Sequence, residues 1–227
     1  KETFQLAKQD VTIATNLVEA RLLIGCEVTF EDLQEKLNSR GYWSSKDFFL
    51  AKYQEQKERH RKFKDTSYNL EPNVKESPGC LRDIQSIGWV AKKHFNATDG
   101  KDLVAHGYFN QQEFDELIEC RESLWRIRFA LHIVAGRSEN RLLFDYQTDV
   151  ATRLGYGDEG KASVERMMKA FFRTVRRISE LNKMLMQRFS QDVLNLNVKQ
   201  HIKINTNFEL LDGYIAPTKD NVFVSPE

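Results

Sequence analysis

The sequence predicts a mainly α fold, an antiparallel bundle of about seven helices with a small β-hairpin near the C-terminus. Three observations support this prediction. Apolar residues recur at spacings of three and four over most of the chain, as they do on one face of a helix. Proline and glycine are scarce, with 4 and 11 among 227 residues, so few positions interrupt those stretches. The alternation of apolar residues that is typical of strands begins only after residue 197.

The first part of the chain predicts three helices. The first spans residues 11–24 and would be ended by Gly25. A second, short helix is expected over about 29–41. A third begins at a serine cap and covers about 45–64. Its second half, residues 54–62, is almost entirely polar, which is typical of a solvated face.

A loop is predicted between this helix and the next, because Pro72 and Pro78 exclude a regular helix from residues 65–79. Loops of this length in compact domains are commonly functional or disordered. We expect this one to be ordered and packed. The expectation rests on its apolar residues, which are Tyr68, Leu70 and Val74.

Helical periodicity resumes after the loop. Four further helices and one short one are expected over about 81–95, 101–107, 111–135, 144–154 and 162–194. The last carries an apolar stripe of nearly heptad spacing, which is typical of bundle packing. A hairpin is then predicted over residues 208–215, with Asp212-Gly213 as a type I′ turn. Residues 222–224 are a candidate third strand.

Composition excludes several classes of partner. Lys and Arg number 34 against 33 Asp and Glu, so the net charge is +1 and neither nucleic acid nor an anionic membrane is expected as a bulk electrostatic partner. A mean hydropathy of −0.57 leaves no apolar run long enough to span a membrane. Three unevenly spaced cysteines are expected to be reduced thiols, and a cytoplasmic location follows.

The chain lacks the common signatures of an independent enzyme. It has no glycine-rich phosphate-binding loop of the Walker or dinucleotide type and no Asp-x-Asp pair for two-metal chemistry. None of its five histidines is followed by aspartate, the pattern of metal-dependent phosphohydrolases. We therefore predict no catalytic residue, metal site or cofactor within this chain, and expect its chemistry to be completed elsewhere.

Residues 70–84 carry the strongest functional signal. A Pro-Gly turn ends at Gly79, directly before a helix whose first N–H groups and positive dipole end favour a phosphate. Lys75 and Arg82 add two cations, and a guanidinium binds oxyanions in a bidentate manner. Asp83 would lie in the first helical turn, where it favours the dipole or orients Arg82.

A structural role for this segment is the alternative. In that reading the loop is held by two local ion pairs, Lys75–Glu71 and Arg82–Asp83. Proline-containing loops before helices are common, so the physics of the segment alone leaves both readings open.

The order Leu-Glu-Pro-x-x-Lys-x-x-Pro-Gly-x-Leu-Arg-Asp-Ile in residues 70–84 resembles the hallmark of the bacterial protein-PII uridylyltransferase/uridylyl-removing enzyme family. It is more distantly similar to that of glutamine synthetase adenylyltransferase. Three other stretches resemble the same family, and they are residues 14–25, 136–147 and 164–169. The resemblance therefore covers nearly the whole chain.

Members of this family are multidomain. A nucleotidyltransferase domain with acidic residues and a divalent metal transfers UMP from UTP to a tyrosine of the PII protein, a helical domain follows, a His-Asp hydrolase domain removes the UMP, and two ACT domains sense glutamine. The resemblance implies that residues 1–197 are the helical domain and residues 198–227 a β-rich extension toward the hydrolase domain. Both ends then look cut from a longer chain, and Mg²⁺ or Mn²⁺ would belong to the full enzyme.

The resemblance also implies roles for individual residues. The candidates to support the nucleotidyltransferase site are Arg21, Lys75, Gly79, Arg82 and Asp83. Arg21 and the turn with Lys75 and Arg82 would face the triphosphate or the adjoining catalytic domain. The family usually has a second glycine where this chain has Cys80, which makes Lys75 and Arg82 better candidates for phosphate contact than the Cys80 backbone.

Two other functions stay open. The chain could be a non-catalytic module that docks PII or glutamine synthetase through the polar helix surface at residues 54–64, or a spacer without a ligand. The helical domain of an adenylyltransferase-like enzyme is a further reading of the same resemblance.

Overall fold

The computed structural model describes residues 2–39, 42–97, 99–157, 160–193, 201–211 and 214–218, and it is mainly α as predicted. Those residues form nine helices, against about seven expected, and one three-stranded sheet. The helices are α1 (Glu2–Ala7), α2 (Val11–Val18), α3 (Glu27–Asn38), α4 (Ser45–Lys62), α5 (Leu81–Phe95), α6 (Asp102–Ala105), α7 (Gln111–Ala135), α8 (Phe144–Arg153) and α9 (Lys161–Val193). The strands are β1 (His201–Lys203), β2 (Phe208–Leu211) and β3 (Tyr214–Pro217).

The longest helix, α9, organises the interior by packing against α4, α5, α7 and α8. Leu185 and Phe189 in its second half join α4, α5 and α7 in one apolar cluster. Phe171 and Val175 in its first half join α7, α8 and the loop before α5 in a second cluster. A third cluster unites α1, α2 and the start of α4 with Trp89 of α5. The predicted apolar stripe therefore forms most of the core.

Capping residues account for the accuracy of several helix boundaries. The α5 and α7 helices begin and end where the sequence predicts. At the start of α7, the side chain of Asn110 accepts from the Glu113 N–H while the Glu113 carboxylate accepts from the Asn110 N–H. Gly136, at φ +64°, ends the same helix. Ser44 caps α4 by accepting from the Asp47 N–H.

The first predicted helix is shorter than expected. The α2 helix ends at Val18, not near Ile24, and the preceding α1 was not predicted. The N–H of Glu19 closes the last turn on the Thr15 carbonyl, and the following residues are not helical. Ile24 is 93% exposed, whereas Ile13 and Leu17 pack against the third cluster, so the helical spacing corresponds to burial only in its first part. Periodicity without burial gave the wrong end here.

The sheet contains the predicted hairpin. Strand β2 pairs antiparallel with both neighbours, so Leu210 lies opposite Ile202 on one side and Ile215 on the other. The predicted type I′ turn, the candidate strand at residues 222–224 and the proposed domain boundary at 197/198 lie outside the described residues. The division into two regions stays a prediction. Among the described helices, none is long and apolar enough to cross a membrane.

Candidate functional site

The loop that carries the family-like segment is ordered and packed, as predicted, by bonds to the segment before α8. Its Val74 N–H donates to the Asn140 carbonyl at 2.9 Å, and the Leu142 N–H donates to the Pro72 carbonyl at 2.9 Å. The Val74 side chain is fully buried. Of the three apolar residues named above, only Val74 is buried, since Tyr68 and Leu70 are each 62% exposed.

The predicted local ion pairs are replaced by others. Glu71 pairs with Arg141 at 3.3 Å across to the segment before α8, and not with Lys75. The Lys75 ammonium lies 3.6 Å from the Glu76 carboxylate. Lys75 therefore pairs within its own loop, whereas Glu71 connects this loop to the segment before α8. The two segments run antiparallel where Asn73 lies opposite Arg141.

The start of α5 does not present free N–H groups. Each N–H of the first turn is bonded to a carbonyl of the loop or the helix itself. The pairs are Cys80 with Ser77 at 3.0 Å, Leu81 with Val74 at 3.4 Å, Arg82 with Lys75 at 2.8 Å, and Asp83 with Cys80 at 3.0 Å. The helix end expected to bind a phosphate therefore has its backbone donors satisfied, and the side chains of Lys75 and Arg82 are what an anion would meet.

Asp83 is the anchor of the site. Only 1% of it is exposed, and its carboxylate accepts from the guanidinium of Arg59 at 2.7 and 3.0 Å. His60 Nε2 lies 2.9 Å from the same oxygen. The second oxygen accepts from the Gly79 N–H at 2.7 Å. Arg82 is not among these groups, so the predicted Arg82–Asp83 ion pair is wrong. The Asp83 side chain points inward, to α4 and the turn.

Arg82 lies on the outer side of the same turn. Its guanidinium contacts the Glu76 carboxylate at 3.1 Å and the Gln85 side-chain oxygen at 3.0 Å. The guanidinium carbon lies 5.3 Å from the ring centroid of Trp89, within cation–π range. Lys52 contacts the same ring at 4.3 Å, and burial lowers the pKa of its ammonium group. Arg82 is thereby held in place while part of it stays accessible.

Arg59, Lys75 and Arg82 surround Glu76 and Asp83, so three cations face two carboxylates. An anionic ligand that displaced Glu76 would find Lys75 and Arg82 on one turn. The described residues contain no group of three His, Cys, Asp or Glu that could hold a metal ion. The arrangement is suited to charge neutralisation.

Arg21 belongs to a different segment of the chain from the other four candidates. It follows the end of α2 in an irregular segment and is exposed. Within the described part of the chain no hydrogen bond or ion pair joins it to Lys75 or Arg82. The structure thus brings together Lys75, Gly79, Arg82 and Asp83, and leaves Arg21 in the N-terminal region.

Cys80 is compatible with a turn where the family usually has glycine. Its φ is −101°, an extended conformation that any residue adopts, and its side chain is fully buried. The positive φ of the turn belongs to Gly79 instead, at +76°. The exchange of glycine for cysteine at position 80 therefore requires no unusual backbone.

The cysteines should differ sharply in reactivity. Burial raises the pKa of the Cys80 thiol, whereas the backbone N–H of Thr29 lowers the pKa of the exposed Cys26. We expect iodoacetamide to modify Cys26 at least about tenfold faster than Cys80 in the native chain. Peptide mass spectrometry over a time course measures both rates, and in denaturant they should converge. Equal native rates would show that Cys80 is not enclosed as described.

Sequence reasoning missed the contribution of α4. The polar half of this helix was expected to be solvated, but Gln56 and Arg59 are buried, with exposed fractions of 7% and 8%. With Phe49 and Lys52 they share one helical face, so the apolar face of α4 continues as a polar one. The spacing of these four residues, at intervals of three and four, was the signal from which a buried polar face could have been predicted. The correction also removes Arg59 from any docking surface at residues 54–64.

Comparison with known proteins gives the family. The family model described as GlnD PII-uridylyltransferase matches residues 47–186, more than half of the chain. The chain belongs to this family. Curated relatives named bifunctional uridylyltransferase/uridylyl-removing enzyme include those of Idiomarina loihiensis, 50% identical over 224 residues, and Pseudoalteromonas translucida, 50% identical over 223 residues. Each alignment covers 98% of this chain.

The chain spans only about a quarter of those relatives' length, 26% in both cases. The family model and these relatives confirm the resemblance to the uridylyltransferase family. The chain corresponds to a helical portion of such an enzyme. No solved structure matches the chain.

Proposed function

We propose that this chain is the helical portion of a cytoplasmic bifunctional enzyme that transfers UMP from UTP to the PII nitrogen-regulatory protein and removes it. The activity named for relatives that are half identical to this chain supports that assignment. The portion supports the nucleotidyltransferase site and is inactive alone. Its partners are the adjoining nucleotidyltransferase and hydrolase domains, PII and UTP, and the full enzyme uses Mg²⁺ or Mn²⁺.

The arrangement of side chains at the turn of residues 75–83 is the observation that best supports this role. Buried Asp83 fixes the turn from inside through Arg59 and the Gly79 N–H. Lys75 and Arg82 share Glu76 on the outer side. A phosphoryl group that replaced Glu76 would gain two cations whose positions are already set, which is the arrangement that stabilises charge developing in phosphoryl transfer.

Replacing Arg82 by alanine in the full-length enzyme should lower uridylyl transfer by roughly 100-fold, since one preorganised charged donor is worth about that much in rate. Uridylyl removal should change less than about threefold, because that chemistry belongs to another domain. Both activities are measured on the same preparation with PII and PII-UMP. Arg82→Lys keeps the positive charge but loses the planar guanidinium. Its rate of uridylyl transfer should lie between those of the wild type and Arg82→Ala.

Arg176→Ala is the matched control for this test. Arg176 is also an arginine paired with a glutamate, Glu180, at 3.0 Å, but on the exposed surface of α9. It should leave both activities unchanged. Parallel loss of transfer and removal in Arg82→Ala, with a lower melting temperature, would mean that Arg82 only holds the turn.

A further inference from the structure

Arg82 and Trp89 lie on one face of α5. They are seven residues apart, which is close to two helical turns. Ser86 lies between them on that face, where it is buried and its Oγ donates to the Arg82 carbonyl at 2.9 Å. Because the intervening side chain is small, it leaves room for the guanidinium to approach the ring. The guanidinium carbon accordingly lies over the Trp89 ring, 5.3 Å from its centroid.

The contacts of the Arg82 guanidinium differ in the groups that they use. Its Nε and Nη2 donate to one Glu76 oxygen at 3.3 and 3.1 Å, and its Nη1 donates to the Gln85 side-chain oxygen at 3.0 Å. These bonds use N–H groups that a phosphate oxygen would need. The contact with Trp89 uses none, because the ring attracts the cation through its face. When an anion replaces Glu76, the contact with the ring can therefore persist.

Trp89 itself is firmly placed in the core. It is 5% exposed and belongs to the third apolar cluster, with residues of α1, α2 and the start of α4. The Lys52 ammonium lies 4.3 Å from the ring centroid and donates to Glu55 at 2.7 Å. The indole N–H has no hydrogen-bond partner among the described residues, so the ring is what this residue supplies. A buried ring of this kind gives Arg82 a fixed surface.

A fixed arginine is more useful to a transferase than a mobile one. The Arg82 side chain is 23% exposed, so a ligand can reach it. An arginine loses much conformational freedom when it binds an anion, and a contact made beforehand reduces that loss. Donors that are already in place also stabilise developing charge without reorganising during the reaction.

We propose that Trp89 is a positioning residue for uridylyl transfer. Its ring holds the Arg82 guanidinium in place while a phosphoryl oxygen occupies the position of the Glu76 carboxylate. This inference rests on the function proposed above, since Trp89 acts only through Arg82 and does not touch the substrate. Uridylyl removal therefore does not depend on the ring.

The test measures transfer and removal in the full-length enzyme carrying Trp89→Met, with and without Arg82→Ala. Methionine keeps apolar bulk in the cluster but has no aromatic face. Transfer should fall about tenfold in Trp89→Met, as expected for the loss of a largely desolvated cation–π contact, while removal changes less than about threefold. In the Arg82→Ala background the same exchange should change transfer less than about twofold, because no guanidinium remains to be positioned.

Two control variants separate the ring from its packing. Trp89→Phe retains an aromatic face and should keep transfer within about threefold of the wild type. Trp43→Met disturbs the same cluster at a tryptophan whose indole N–H donates to the Ala7 carbonyl at 2.6 Å. It should leave transfer within about twofold of the wild type, because its ring does not hold Arg82.

Equal losses of transfer from Trp89→Met in both backgrounds would overturn the inference, because the exchange would then act on the fold and not through Arg82. Unchanged transfer in Trp89→Met, equal losses in Trp89→Phe, or parallel loss of transfer and removal would overturn it as well. In each of these cases Arg82→Ala alone still lowers transfer, and the proposed function stands. If Arg82→Ala leaves transfer unchanged, the proposed role of the turn and this inference fall together.

Discussion

Asp83→Ala is expected to lower the free energy of unfolding of the chain by about 3–5 kcal/mol, the usual cost of removing one partner of a buried ion pair. The carboxylate accepts from Arg59 and from the Gly79 N–H inside the protein. Its removal leaves the buried Arg59 guanidinium, 8% exposed, with the more distant Glu76 carboxylate at 3.9 Å as its counter-charge. Chemical denaturation followed by circular dichroism measures the change.

Two further variants make this result specific to the pair. Asp115→Ala removes an exposed carboxylate of α7 and should change stability by less than about 0.5 kcal/mol. In the double variant Arg59→Leu/Asp83→Leu no charge is stranded, so the loss should be clearly smaller than the sum of the single losses. A cost below about 1 kcal/mol for Asp83→Ala would contradict the buried network.

This buried pair marks the limit of what the sequence could predict. The boundaries of α5 and α7 were predictable because local residues determine them, such as the Asn110 cap and Gly136. The partners of Asp83 are not local. Arg59 lies 24 residues away, and Gln56 meets Asn182 across 126 residues. A polar helix half has the same pattern whether water or distant side chains satisfy it.

The sequence predicted which residues lie together at this turn, but not which groups they bond to. Lys75, Gly79, Arg82 and Asp83 do share one turn, as the motif spacing indicated. The prediction of free N–H groups at the start of α5 was wrong. The loop before this helix folds back on it, and carbonyl groups of the loop accept from N–H groups of the first turn. Sequence spacing identifies residues that will be near each other and cannot say which donors the intervening backbone will use.

Gly79→Ala is expected to destabilise the chain by roughly 2–5 kcal/mol, for two independent reasons. Gly79 has φ +76°, a conformation that disfavours a side chain. A Cβ at this position would also come close to α9, to the backbone carbonyl of Val175 and to Ser179 Oγ. The serine could rotate but the helical carbonyl cannot, so the turn would have to separate from α9.

The helix that follows this turn, α5, offers the control. Gly88 lies on the exposed side of α5 with no atom within 4 Å of an added Cβ, so Gly88→Ala should be neutral or stabilise the chain by up to about 1 kcal/mol. Opposite signs for two Gly→Ala exchanges nine residues apart separate close approach from helix propensity. If Gly79→Ala were as mild as Gly88→Ala, the turn would not be packed on α9. Because the turn carries Lys75 and Arg82, transfer activity of the full-length Gly79→Ala enzyme should fall with its stability.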